Sequence, residues 1–364
     1  MKKFNKFHII AIIIIIVSVF SIVSSCVPDS KCDPEFATPF NLTSPFRFPE
    51  MNLPTDNPMT EEGVELGRFL FFDTTLSINH QISCGSCHKP EFGFSDGGKQ
   101  FSTNSKGLMT KRNTPALLNA GFQNKFFFDG RSASIEEAVD DATKNEMEVN
   151  WEVTLPYLEN NSFYAANFKK AFGCDAVTKE NVLKAISQFM RSIISSGESE
   201  IDKKFFTTND YTQLSPAASR GFLLFTSARA DCFHCHFTNI LTTDNQFHND
   251  GIQYNDGSFN FADNGRGAIT NVQTDNGKMK TPSLRNLAYT APYGFDGRFS
   301  TLREVVDFYA DSVHMSPTLD AVMIHTGNIR LNLTNSERDD LVAFMLSMTD
   351  STVVVNPKFQ NPFR

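Results

Sequence analysis

Two short stretches of this chain combine residue types that could do redox chemistry: Cys84-Gly85-Ser86-Cys87-His88 and Cys232-Phe233-His234-Cys235-His236. C-x-x-C-H is the attachment signature of a c-type haem. Two thiols three residues apart can form thioethers to both vinyl groups, and the next residue offers an imidazole to the iron. A lone copy could equally be half a zinc site or a redox dithiol; two complete copies in one exported chain argue against both. Cys84, Cys87, Cys232 and Cys235 are therefore assigned to two covalent haems, with His88 and His236 as one axial ligand each. Of the seven cysteines, Cys26, Cys32 and Cys174 remain. Cys32 and Cys174 could pair in an oxidising compartment or stay free.

What stands opposite each histidine decides function, and the chain repeats itself in a way that addresses this. Thr114-Pro115-Ala116-Leu117-Leu118-Asn119 recurs as Thr281-Pro282-Ser283-Leu284-Arg285-Asn286, and Phe128-Asp129-Gly130-Arg131 as Phe295-Asp296-Gly297-Arg298, both offset by 167 residues. Upstream, Gly67 to Phe71 resembles Gly221 to Phe225. A repeat in register implies two similar units. At the same offset Tyr309 pairs with Ala142, so one unit offers a phenol where the other has a methyl group. No histidine lies between His88 and His234. The first iron is thus expected to be open or water-bound and the second closed by Tyr309, with His314, Met315 or Met323 as the other candidates. A phenolate would favour higher iron oxidation states, and a methionine would raise the potential. An open site that cleaves peroxide needs a proton carrier, and Glu148, with Glu146 beside it, is expected to serve with a pKa raised by an apolar pocket. A solvated acidic turn is the rival reading of that segment.

The elements that must position these groups are helical. Thr301-x-x-Glu304 and Thr334-x-x-Glu337 are capping boxes, the first opening Leu302, Val305 and Tyr309, the second Leu341, Phe344, Met345 and Met348. Val182, Ile186, Phe189 and Ile193 mark a helix joining the halves, and Ser215-Pro216 starts another. Residues 239–278 read as a long loop over the second haem or near the interface. The fold class is mainly α, with two cytochrome c-like helical domains at 59–205 and 206–350, each carrying one haem, and a tail at 351–364.

Lys2, Lys3 and Lys6 precede an apolar run from Ile9 to Val23. At ~1.5 Å per residue that run covers about 22 Å, short of the ~30 Å hydrocarbon core, so residues 1–25 read as a signal peptide. Val23-Ser24-Ser25-Cys26 resembles a bacterial lipobox, which implies lipidation of Cys26 and a Pro-, Ser-, Asp- and Asn-rich tether over 26–58; a plain signal peptide is the alternative. Lys+Arg total 33 against 41 Asp+Glu, for a net charge of −8 without a basic run beyond the leader, which argues against a nucleic-acid partner. Phe is used 36 times and Trp once, enough rings to wall pockets around something large and flat, with an ordinary apolar core as the equal alternative.

These residues resemble the bacterial di-haem cytochrome c peroxidase and MauG-type family from about Gly67 to Thr349. The likeness rests on Leu66-Gly67-Arg68-x-Leu70-Phe71-Phe72-Asp73, the first haem motif, Arg112-Asn113-x-Pro115-Ala116-Leu117, the Asp-Gly-Arg repeats, Thr281 to Tyr293, and Leu341 to Phe344. It implies reduction of hydrogen peroxide to water at the first haem, with electrons reaching the second from a small cytochrome c or cupredoxin. It also implies an interface calcium ion on Asn113, Thr290 and Pro292, and it admits a homodimer. The family's distal glutamate falls on Glu148 without a gap and on Glu146 with one of two residues; its second-haem ligand falls on Tyr309. Three departures stand out. The histidine of peroxidases that need reductive activation is missing near Asn104 and Ser105. The inter-haem tryptophan is Phe128, the only tryptophan being Trp151. The distal glutamine is Ala138. The rival activities are a MauG-type oxidase acting on a protein substrate and a non-enzymatic di-haem electron carrier.

Overall fold

The computed structural model describes residues 37–42, 47–173, 177–236, 243–324 and 329–364. The leader, Cys26, Cys32 and Cys174 lie outside those residues. The first half contains α1 (Glu61–Phe72), α2 (Cys84–Cys87), α3 (Ile135–Asn145), α4 (Trp151–Asn160), α5 (Ser162–Phe172) and α6 (Lys179–Ser192). The second contains α7 (Pro216–Phe225), α8 (Phe233–His236), α9 (Gly267–Thr270), α10 (Leu302–Asp311) and α11 (Asn335–Leu346), and α12 (Thr352–Val355) follows. The sheet among the described residues is one pair, β1 (Phe247–His248) antiparallel to β2 (Met279–Lys280), with Phe247 opposite Lys280.

The repeat seen in the sequence is a repeat of backbone. Asn119 and Asn286, 167 residues apart, both adopt positive φ (59° and 61°) ahead of a 3-10 turn. Each buried amide bridges to the chain after the half's last long helix: Asn119 to the backbone of Ser195, Asn286 to that of Asp350. The bridges Phe126–Ser132 and Tyr293–Phe299 repeat at the same offset, and so do the starts of α3 and α10.

In each half the first helix crosses the last at a glycine. A Cβ on Gly67 of α1 would strike the Ala185 carbonyl of α6, and one on Gly221 of α7 the Asp340 carbonyl of α11. Hydrogen at these two positions lets the helices touch, with Phe189 and Phe344 packed beside the crossings. The first core gathers Leu66, Leu70, Phe71, Ile186 and Phe189, and the second Ala218, Phe225, Leu341, Phe344 and Met348. Burial of each large side chain contributes about 1.5–3 kcal/mol. Both capping boxes form as expected. Pro216 opens α7, but the Ser215 side chain makes no cap bond; its backbone N–H donates instead to Glu200 at 2.8 Å.

The domain edges differ from the expectation. The described part of the tether is packed, not free: Phe48 sits in the second core, 5.1 Å from the Phe122 ring, and buried Asn57 accepts from Gln188 at 2.9 Å. The tail returns to the first core, where Phe359 meets Phe94 at 6.2 Å and Arg68 donates to the carbonyls of Pro357 and Gln360. Ile201 already belongs to the second core. Linker-like composition over 47–58 conceals single apolar and amide anchors that only distant partners make visible. No described helix is long and apolar enough to cross a membrane.

Candidate functional site

The two halves enclose one continuous cavity of about 1650 Å³, lined by Cys84, Cys87 and His88 from one half and Cys232, Cys235 and His236 from the other. An ordinary small-molecule pocket measures about 300–1,000 Å³, so this one has room for two large, flat groups. None of the four cysteines is in a disulfide. Burial pushes the Cys84 and Cys232 thiols up to about 12 and the Cys87 thiol upward as well.

His88 has its Nδ1 2.8 Å from the Phe94 carbonyl. With that nitrogen donating, Nε2 is the one left to bind a metal, and the backbone acceptor holds the ring's orientation. Burial lowers the His88 pKa, with the Phe94 carbonyl opposing it, which favours the neutral ring that ligation requires. The donor set and the space therefore fit a covalent c-type haem on each motif.

The faces presented by α3 and α10 are unequal, as the offset required. Ala142 and Tyr309 both line the cavity. The Tyr309 hydroxyl donates to Asp250 at 2.9 Å, and burial, reinforced by Asp250, raises its pKa well above the ordinary phenol value. Of the other candidates for the sixth position, Met323 lines the cavity. Met315 is exposed, and His314 packs edge-on against exposed Tyr254.

The two glutamates part company. Glu146 caps the C-terminus of α3 and lines the cavity, and Met147 then plugs the first core beside Cys84. Burial raises the Glu146 pKa; Arg131 opposes this and Asp141 adds to it. Glu148 follows at a φ of +50° and turns to the loop at 105–106, where it pairs with Lys106 and accepts from Ser105 at 2.9 Å. Lys106 and then Ser105 hold its carboxyl below the usual range. The expectation of a Glu148 pKa raised by an apolar pocket is thus corrected, and Glu146 has the environment foreseen for its neighbour.

At the seam Arg112 donates to both oxygens of Asp263, at 2.7 and 2.8 Å, and to Asp129 at 2.6 Å, tying the long loop of the second half to the first. That loop borders the cavity through residues such as Ile252 and Asn264, as its position predicts. Phe128 lines the cavity, and so does Ala138. Trp151 stands away from it, packed on the first core beneath Lys179. Asn113, Thr290 and Pro292, the calcium candidates, share the cavity wall. The Asn113 amide nitrogen donates to the carbonyls of Lys99 and Gln100, which leaves its oxygen for a cation.

His248 belongs to none of the motifs in the chain. Its Nε2 lies 2.8 Å from Asp244 and its Nδ1 2.5 Å from Asp320, and its pKa is pushed up to about 11, by Asp244 first. Cys235, Asp244 and His248 bring potential ligand atoms within 4.8 Å of one another. An imidazolium bonded at both nitrogens has no lone pair to offer, so a salt-bridged structural histidine is the better reading.

Comparison with known proteins agrees with this architecture. The family model for the di-haem cytochrome c peroxidase matches residues 61–210. A cytochrome-c peroxidase of Denitromonas iodatirespirans, IdrP1, is 32% identical, over 87% of this chain and 89% of its own. A methylamine utilization protein MauG of Methylorubrum extorquens is 34% identical, over 84% of this chain and 83% of its own. The crystal structure of a MauG-like protein associated with microbial copper homeostasis superposes with a TM-score of 0.81 at 30% identity, covering 89% of this chain and all of that one.

Proposed function

The chain belongs to the di-haem cytochrome c peroxidase and MauG family, and from that premise we propose that it reduces hydrogen peroxide to water at its first haem site. Electrons arrive at the second site from a small cytochrome c or cupredoxin. One observation carries this reading: on equivalent helices facing one cavity, the first half presents Ala142 and the second Tyr309. Held by Cys84, Cys87 and His88 and by Cys232, Cys235 and His236, two haems would supply the redox chemistry. Ala142 leaves the first site accessible to a small oxidant, while Tyr309 closes the second. Glu146 takes the proton from peroxide and returns it to the departing oxygen, a role that a carboxyl with a burial-raised pKa suits.

The remaining assignments support the same reading. Asp250, already accepting from Tyr309, would take the phenolic proton were Tyr309 to hold a haem iron. The Asn113 oxygen with the carbonyls of Thr290 and Pro292 suits a hard cation such as calcium. Export with a lipid on Cys26 would place the protein at the periplasmic face of a membrane. A MauG-type oxidation of a protein substrate is the second reading, favoured by a phenol at position 309 and weakened by Phe128, a ring far harder to oxidise than tryptophan.

Electron paramagnetic resonance of the oxidised holoprotein tests the asymmetry. One high-spin and one low-spin ferric signal are expected; two low-spin signals would make the protein an electron carrier. Tyr309→Phe should abolish the low-spin signal, and an unchanged spectrum would pass the ligand role to Met323. Fast turnover of peroxide with a reduced cytochrome supports the peroxidase over the MauG-type reading.

A further inference from the structure

The halves exchange two backbone hydrogen bonds at the seam. The Asn113 N–H donates to the Phe295 carbonyl at 2.8 Å, and the Lys280 N–H to the Phe128 carbonyl at 2.7 Å. Donors and acceptors both differ by 167 residues, so Lys280 is the counterpart of Asn113 across a pseudo-two-fold axis. By the same offset Gln123 is the counterpart of Thr290. One seam position thus holds a neutral amide, and its mate holds an ammonium.

That ammonium is in an unusual place. Lys280 is 8% exposed and lines the cavity. Its Nζ donates to Gln123 Oε1 at 2.7 Å, a neutral partner. Among the described residues no carboxylate pairs with it. Asp244, the acid that influences it, is bonded to His248, and burial brings the lysine down to about 8. Lysines are almost never buried without a counter-charge, because the desolvation cost is large. The missing anion has a natural source. A c-type haem uses its vinyl groups in the thioethers and keeps two propionate carboxylates, so two haems carry four such anions into this cavity.

We infer that Lys280, steadied by Gln123, receives a haem propionate at the seam between the two halves and thereby raises the reduction potential of that haem. The inference rests on the cavity holding two haems. A fixed cation beside a porphyrin favours the reduced iron, which has one positive charge fewer. Lys280 is on this view a positioning and charge-setting residue that does not touch peroxide.

Lys280→Met keeps the apolar stem and removes the charge. The haem content of wild type and variant is measured first; a wild type without two covalent haems overturns the premise as well as the inference. With two haems present, spectroelectrochemical titration of Lys280→Met should show one haem's ferric/ferrous equilibrium shifted tenfold or more towards ferric, about 59 mV for one electron. The propionate bending band of one haem should move in the resonance Raman spectrum, and Lys280→Arg should restore the potential. Gln123→Glu offers the ammonium a protein carboxylate in place of the propionate, so it should lower the same potential with Lys280 intact; it decides the matter if Lys280→Met does not mature. Potentials unchanged to within threefold in that equilibrium, with unmoved propionate bands, would leave Lys280 a structural strut and overturn the inference.

Discussion

Exchanging the acid groups of Glu146 and Glu148 for amides, one at a time, separates the cavity from its surroundings. Glu146→Gln preserves the shape of the side chain but removes its capacity to carry a proton. General acid–base catalysis is worth about 10²–10⁴ in rate, which at about 1.36 kcal/mol per decade is roughly 2.7–5.4 kcal/mol of barrier. The fold should not suffer. Burial raises the Glu146 pKa in the folded protein, so its ionised form is a cost to folding above the unfolded-state pKa, and the amide removes that cost. The melting temperature at neutral pH should therefore stay level or rise while the rate collapses. The wild-type rate should also fall on the acid side as Glu146 protonates, with an apparent pKa above the ordinary carboxyl value, and the variant should lose that limb. Glu148→Gln breaks a half-exposed contact with Lys106 and Ser105, and should keep the rate to within about threefold. The assay is stopped-flow mixing of oxidised holoprotein with peroxide, followed by haem absorbance across pH. A Glu146→Gln variant keeping more than a tenth of the rate, or a Glu148→Gln variant losing as much as Glu146→Gln, would refute the assignment.

Two further expectations concern stability. Gly67→Ala and Gly221→Ala each drive a methyl group into a facing carbonyl. Overpacking of about 1–3 kcal/mol should outweigh the roughly 1 kcal/mol that alanine gains in a helix, so both variants should unfold at lower denaturant; stabilisation of either would show that the helices do not touch there. Glu337, paired with Arg229 and bonded to Thr334, has its pKa held down to about 2. A carboxyl lowered in the folded state stabilises above its unfolded pKa of about 4.5 and ceases to as pH falls through about 2. Melting temperature should thus drop between pH 4.5 and 2 more steeply in wild type than in Glu337→Gln, and parallel curves would argue against the pair.

Much of the molecule could be read from the chain alone. The haem motifs, the repeat and the capping boxes are short-range patterns whose geometry is set by covalent spacing, so Ala142 and Tyr309 could be matched by counting. The positive-φ asparagines at 119 and 286 carried a weaker signal of the same kind, since both close a repeated motif and no side chain except glycine's tolerates that conformation better. Counting fails where a backbone turn redirects side chains. Glu146 and Glu148 flank Met147 two residues apart with nothing in their letters to tell them apart, and only the end of α3, the burial of Met147 and the positive φ at 148 turn one carboxylate inward and the other out.

The strap at Phe48 and the tail at Phe359 exceeded a sequence reading for another reason: each anchors in the half farther from it along the chain. Lys280 is the plainest case. As a letter it is an ordinary surface-type residue, and its burial follows from two halves closing face to face. Sequence by itself determined which groups this protein carries and at what spacing, because local bonding geometry depends on neighbours in the chain. Tertiary structure alone decided which of those groups share the low-dielectric cavity, because burial and charge compensation depend on neighbours in space.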